Sequence, residues 1–570
     1  MVTIANAGGT RAASPKRAWH VLPRATKDEL QAVGGHPLIA QLLFNRGMRT
    51  ATEAQGFFQP QVDIGDPFLL PDAAPAVRRL ARAIRAKEQI GIFGDFDADG
   101  VTSAAVLTEA LRGLGASPIA YIPDRVAEGH GLNLSAIQYL RERGVSLVVT
   151  ADCGIGSPGE VAAASEFGID TIITDHHLPP ARLPDAVAVV NPKLSHGDPR
   201  YTDLASVGVA SRLMDALYGE MGQTPDQSLL EFVALGTIAD LAPMHGAANR
   251  SLVRQGLQQL NTTKRPGILE LLKVAHLQPG QVDTESIAYA LGPRINAPGR
   301  LDHATPSYQL LVARSSAEAA PLAAVLDARN TERQRLTREI LQKVKAALEM
   351  PLPPILVLGS PEFPAGIVGL AAGKLTEEFH RPSVVCEVGP EETRGSCRSI
   401  PEFNIVQALR QCEDLFTRYG GHAQAAGFSM PTRNFPLLRQ RLLQIAEASL
   451  KPESLTPRLV IDAELPLDRI NSDVIRGMRD FAPYGQQNPS PVFLSRRIEV
   501  RETRPMGAEG QHTRLKLRAG SITWDAVAFD TGEGTKLPTG WVDLVYTLHV
   551  DRWGGQSTLQ MRALDMAATG

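Results

Sequence analysis

Asp95, Asp97 and Asp99 occupy alternate residues in GDFDADGVTS, directly after the short apolar run IGIF. Three carboxylates this close repel one another, so a cation, a hydrogen-bonded turn or water must sustain them. A calcium loop of the EF-hand type begins in the same way and puts glycine sixth, where Gly100 stands. Its twelfth residue should be a bidentate glutamate; here it is Val106, which excludes that chemistry. A solvated turn stays open, with Asp99 or Thr102 capping the helix that follows. Further along, VVTADCGI carries Asp152, IITDHHLP carries Asp175, His176 and His177, and ALGTIADLAP carries Asp240. If these segments converge, several carboxylates with one or two imidazoles suit Mg2+ or Mn2+ better than structural zinc. Cys153, beside Asp152, reads as a small packing residue.

Bringing such groups together takes a particular scaffold. The runs IGIFGD, PIAYIPD, SLVVTAD, TIITDHH and AVAVVNP each end in an acidic or polar residue and alternate with helical stretches between Ala73 and Asp240. Near-continuous apolar strands separated by helices predict a parallel sheet covered on both faces. In such sheets ligands sit outside the carboxyl ends of the strands, where these polar residues fall. Leu336, Ile340, Val344 and Leu348 recur at four-residue spacing within 316–350, which predicts a long amphipathic helix with a kink at Pro321. PLPPILVLG ends that helix, and a second α/β unit runs to about Lys451. Beyond it the alternation of Val542, Leu544, Tyr546, Leu548 and Val550, and of Leu515 with Leu517, predicts a small β-barrel. Arg514, Lys516 and Arg518 share the other face of one strand, as a nucleic-acid contact or simply as a solvated surface.

A chain of 570 residues with 43% hydrophobic content can bury more than one core. Its 58 basic and 61 acidic side chains leave a charge of −3, which excludes a basic field over the whole molecule. Any polyanion site is therefore a local patch. Four cysteines without a CxxC pair argue for a reducing compartment, and no apolar run reaches the roughly 20 residues that span a bilayer. A soluble cytoplasmic protein is expected.

In order and spacing, GDFDADGVTS, TADCGI, TDHHLP and LGTIADL resemble the successive motifs of the DHH phosphoesterases. Within that family the similarity is closest to the bacterial single-stranded-DNA exonucleases of RecJ type. It extends through YIPDRVAEGHGL, ASVGVA, LGPRINAPGRLD, GIVGLAAGKL, RGSCRSI, RYGGHAQAAGFSM and FAPYGQQNPSPVF, and so covers most of the chain. Pro298 and the loop PYGQQNP depart from the family pattern.

The resemblance implies an N-terminal helical leader (1–72), a DHH phosphoesterase domain (73–315), a connecting helix (316–350), a DHH-associated domain (351–452) and a C-terminal oligonucleotide-binding barrel, the OB-fold (453–570). It implies metal ligation by Asp97, Asp99, Asp152, His176 and Asp240, with Asp152 between two ions. Asp95 and Asp175 are expected as further ligands or as groups that orient the ligands, Asp175 also as a catalytic group. His177 would meet the scissile phosphate and His422 the substrate. Arg125, Arg294, Arg300, Ser396 and Arg398 would hold the 5′-terminal phosphate, and Arg514, Lys516 and Arg518 would contact DNA. The implied activity is two-metal-ion hydrolysis with Mn2+ or Mg2+. It would release 5′-mononucleotides from single-stranded DNA in the 5′→3′ direction, in repair and recombination. A monomer is expected, with a helicase and a single-stranded-DNA-binding protein as candidate partners, no membrane association and no further C-terminal domain.

Overall fold

The computed structural model describes residues 17–59, 64–125, 128–129, 131–507, 510–529, 537–551 and 558–569. The first part of the expected leader, 1–16, lies outside them. Contacts divide the described residues into two compact units, one within 21–327 and 460–569 and one within 328–459 and 17–20. Among the described residues no helix is long and apolar enough to cross a membrane. All four cysteines are buried free thiols.

The described leader is helical except for one strand, β1 (Ala18–Val21). Two of its helices, Lys27–Val33 and Ala51–Phe58, start on capping boxes in which Thr26 pairs with Glu29 and Thr50 with Glu53. The sheet that follows contains β2 (Gln89–Gly94), β3 (Ile119–Tyr121), β4 (Val145–Ala151), β5 (Asp170–Thr174) and β6 (Ala188–Val190) in the order β3-β2-β4-β5-β6. Every pairing in it is parallel. Its strands feed two separate cores, which is why they read as continuous apolar runs. Leu147, Val149 and Ala151 of β4 pack on one side, and Val145 and Val148 on the other.

The helix Ser316–Ala347 leads into the second unit and runs unbroken through Pro321. Pro321, where a kink is expected, lies in its second turn, one turn beyond the positions that spare a proline the loss of an intrahelical bond. The second unit holds β7 (Leu356–Ser360), β8 (Ser383–Val388), β9 (Glu392–Arg398), β10 (Arg418–His422) and β11 (Ala425–Pro431) in the order β10-β11-β9-β8-β7. Only β7 and β8 run parallel.

The chain returns to the first unit after β12 (Arg458–Ile461), the partner of β1. A short β13 (Ala463–Glu464) pairs with β14 (Val492–Met506), followed by β15 (His512–Ala519), β16 (Ile522–Ala528), β17 (Gly540–Asp551) and β18 (Thr558–Ala568). The sheet closes because β14 pairs with both β15 and β17, so no long edge is left open. Leu515, Leu517, Val542, Leu544, Tyr546 and Leu548 are buried inside it. The side chain of Val550 lies outside the described residues.

Candidate metal centre

Asp95 stands at the end of β2, Asp152 at the end of β4, and Asp175, His176 and His177 follow β5, so the parallel sheet delivers them all to one edge. Asp97 caps the helix Ala98–Gly113: its carboxylate accepts from the Asp99 and Gly100 amides at 2.9 and 3.1 Å. The cap is therefore Asp97 rather than Asp99 or Thr102. Asp99 lies inside the first turn, and Thr102 donates back to the Ala98 carbonyl at 2.7 Å. Both Asp99 oxygens instead meet the N-terminus of the helix Ser206–Glu220, accepting from the Ser206 and Val207 amides at 2.8 and 2.9 Å. A helix N-terminus offers free N–H groups and favours negative charge. Asp240 caps the C-terminus of the helix Leu230–Ala239.

Three sets of these groups bring ligand atoms within 4.8 Å of one another: Asp95 with Asp97 and Asp152, Asp99 with His176 and Asp240, and Asp152 with His176 and His177. His176 Nε2 lies 3.4 Å from Asp152 Oδ1 and 4.0 Å from Asp99 Oδ2, while its Nδ1 is 3.9 Å from Asp240 Oδ2. Asp152 belongs to two of the sets. Its backbone is left-handed, with φ +69°, a strained conformation of the kind that concentrates at functional sites. Its Oδ1 is buried and accepts no hydrogen bond among the described residues.

Electrostatics mark the cluster as overcharged. Burial, then Asp240 and Asp97, push Asp99 well above the usual carboxylate range. Burial and the neighbouring aspartates do the same to Asp152. Asp240 is raised to about 7 by burial and Asp97, and burial, then His177, holds His176 down to about 4. Buried acids that resist ionisation, beside an imidazole that stays neutral, fit a divalent cation: hard oxygen ligands with an unprotonated nitrogen are what it binds.

Asp175 is built differently. One oxygen accepts from the His176 and His177 amides at 2.7 and 3.0 Å and meets His177 Nδ1 at 2.8 Å, while the other accepts from Ile155 N at 3.1 Å. It joins none of the three sets. Burial alone would raise its pKa, but the bonds from His177 and the amides take it below the usual range. The same hydrogen bond lifts His177 to about 9.

Of the arginines expected at a terminal phosphate, Arg125 has its guanidinium 5.0 Å from the Phe96 ring, next to the aspartates. Burial lowers its pKa, while Asp95 and Asp97 pull the other way. Arg294 is engaged by Asp327 at 2.9 Å and by the Ala290 carbonyl at 2.9 Å. Arg300 lies on the same helix, Gly292–Leu301. That helix also supplies a residue that motif reading did not single out: Asn296, whose Oδ1 accepts from Ala98 N at 2.8 Å and pins the aspartate loop. In the second unit Ser396 and Arg398 share one face of β9, with Arg398 Nη1 3.3 Å from Ser396 Oγ, and His422 ends the exposed strand β10. Arg514, Lys516 and Arg518 are exposed on β15, but Arg514 lies 3.5 Å from Asp525 and Arg518 2.9 Å from Glu499, so acids partly offset that face.

Comparison with known proteins agrees with this architecture. Residues 89–237 match the DHH family, N-terminal domain, residues 353–448 the DHHA1 domain, and residues 461–565 the RecJ OB domain. The chain is 37% identical over 540 residues to the single-stranded-DNA-specific exonuclease RecJ of Bacillus subtilis, covering 94% of this chain and 68% of that one. It is 34% identical over 552 residues to the RecJ of Escherichia coli, covering 92% and 95%. Among solved structures, RecJ in complex with Mn2+ from Thermus thermophilus superposes with a TM-score of 0.83 at 29% identity, over 97% of this chain and 80% of that one. The Mg2+ complex from the same source gives 0.76 at 27% identity, over 97% and 78%. With three domain families in succession and relatives matched over nearly their whole length, the chain belongs to the RecJ family.

Proposed function

We propose that this chain is a metal-dependent, single-stranded-DNA-specific exonuclease that releases 5′-mononucleotides in the 5′→3′ direction and serves DNA repair and recombination. The observation that carries the reading is Asp152, strained, buried and shared by two sets of ligand atoms, with an oxygen that accepts no hydrogen bond. The names of the relatives and the Mn2+ and Mg2+ in the related structures support it. Asp95, Asp97, Asp99, Asp152, His176 and Asp240 would hold two divalent ions, Mn2+ or Mg2+. Ions bound there supply activation of water and neutralisation of the charge that develops on a phosphodiester.

The chain's own groups do the rest. The amides of Ser206 and Val207 fix Asp99, and Asp175 fixes His177. His177, half-exposed and held at Nδ1 by Asp175, would donate from Nε2 to a phosphate oxygen. Direction of travel requires an anchor for the 5′ phosphate, and Arg125, beside Asp95 and Asp97, is the arginine the geometry favours. We further infer a monomer acting in the cytoplasm, where a helicase and a single-stranded-DNA-binding protein would expose and present its strand. Single strands labelled at the 5′ or the 3′ end, and blunt duplex, each incubated with Mn2+, Mg2+ or chelator, test the reading. Early release of the 5′ label as mononucleotide, from single strands only and only with metal, is expected. Release from the 3′ end first, equal attack on duplex, or cleavage in chelator would overturn it.

A further inference from the structure

The apolar rim of the metal centre carries an inference that rests on the nuclease reading and deepens it. Among the described residues, the large apolar side chains at least 65% exposed are Tyr289 at 80%, Leu241 at 66%, and Leu178 and Met350 at 65% each. Two of these four stand in segments that supply the metal centre, and the segment of Tyr289 packs beside one of them. Leu178 directly follows His177, and Leu241 directly follows Asp240. The two turns meet at the site, because His176 Nδ1 lies 3.9 Å from Asp240 Oδ2. Tyr289 sits in a π-helical turn, Ile287–Leu291. Gly292, at the end of that turn, stands so close to Ala239 that a Cβ there would come 3.2 Å from Ala239 Cβ, which seats the turn against the residue before Asp240.

Folding does not account for these side chains. Exposed leucine gains nothing from burial, and Leu241 in addition holds φ at +60°, a left-handed backbone unfavourable for a branched residue. π-helical turns are rare and gather at functional sites. Exposed apolar surface beside a site marks a binding face, and Leu178 and Leu241 each directly follow a group that would meet the phosphodiester or its metal. The part of an unpaired strand that accompanies a phosphate is apolar: the face of an unstacked base and the deoxyribose.

We propose that Leu178, Leu241 and Tyr289 bear on the nucleobases flanking the scissile phosphate and seat the strand by stacking and apolar contact, without reading sequence. Every base has a π-face, so such contacts tolerate any sequence and require unpaired bases. The rim would thus add to selection for single strands at the reacting bond itself.

The test compares kcat/KM with Mn2+ on a 5′-phosphorylated oligodeoxynucleotide and on the same strand with abasic tetrahydrofuran sites in its terminal nucleotides. Wild type should favour the base-bearing strand roughly tenfold, the scale of one stacked base. Tyr289→Ala, Leu178→Ala and Leu241→Gly should each bring the ratio toward one. Leu241→Gly suits the left-handed backbone, so the variant keeps its fold. A wild-type ratio of one, or a ratio that Leu241→Gly and Tyr289→Ala both preserve, overturns the proposal. Wild-type protein that cleaves neither strand overturns the nuclease reading beneath it instead.

Discussion

At the residue level, Asp152 and Asp175 are one motif apart, look alike in sequence, and have opposite surroundings. Asp152 has an oxygen with no hydrogen bond and a pKa raised by burial and its neighbours; Asp175 has its oxygens occupied and a lowered pKa. Asp152→Asn should therefore abolish cleavage yet leave the metal-free protein as stable as wild type or more so. It removes a buried repelling charge, and asparagine tolerates the left-handed backbone as aspartate does. Thermal melts should show the Mn2+-induced rise in Tm of wild type lost in the variant. Asp175→Asn should behave in the opposite way: Mn2+ still raises Tm, while kcat falls by about 10–100-fold because His177 loses its orienting partner. An Asp175→Asn protein that no longer responds to Mn2+ would make Asp175 a ligand. The residue types and their place at strand ends were readable from sequence. The difference in their hydrogen bonding was not, because it depends on which amides reach each carboxylate, and the amides of Ile155, Ser206 and Val207 look like any others in the sequence.

At the level of elements, Asp99 is placed by packing between helices. The helix Leu230–Ala239 approaches Ala98–Gly113 and Ser206–Glu220 at Gly236. A Cβ there would come 2.2 Å from Thr102 Oγ1, 2.8 Å from Val207 Cγ1 and 3.1 Å from Asp99 Oδ1. Gly236→Ala should cost about 1–3 kcal/mol in denaturant unfolding, as overpacking of a tight core does. It should also weaken Mn2+ binding in a titration, since the strain falls on Asp99 and on the helix whose amides hold it. Loss of stability with Mn2+ affinity intact would show that the packing and the site are independent. The strands and their order of use were legible because a parallel sheet buried on both faces leaves unbroken apolar runs. One local detail was not: the Asp97 cap competes with two equally plausible neighbours in sequence.

At the level of the whole molecule, the barrel is held to the catalytic domain by arginines that bind carbonyls. Arg250 is fully buried and donates to the carbonyls of Phe57, Met244, Phe481, Ala482 and Pro483 at 3.2 to 3.3 Å, with its guanidinium 3.7 Å from the Phe57 ring. Arg254 adds the carbonyls of Phe58, Asp480 and Ala482. Burial and then Arg254 lower the Arg250 pKa to about 9, so it stays charged at neutral pH. The loop FAPYGQQNP, which the family resemblance marked, is thus a strap that ties leader, catalytic domain and barrel together. Its partner lies more than two hundred residues earlier, so no local pattern could show it. Arg250→Leu would strand several buried carbonyls, at about 1–3 kcal/mol for each one left unsatisfied. The variant should unfold at clearly lower denaturant and become sensitive to protease within 481–489, while Arg562→Ala, which removes the paired contacts to Glu285 at 2.7 and 3.1 Å and a cation–π contact with Phe529, should cost about 1 kcal/mol or less because the ion pair is partly exposed. If the strap is what joins the domains, Arg250→Leu should also broaden the unfolding transition, as barrel and catalytic domain cease to melt together. A single sharp transition at unchanged midpoint would place the joint elsewhere, in the apolar core that Ile39 and Leu42 of the leader share with Val474 and Met478.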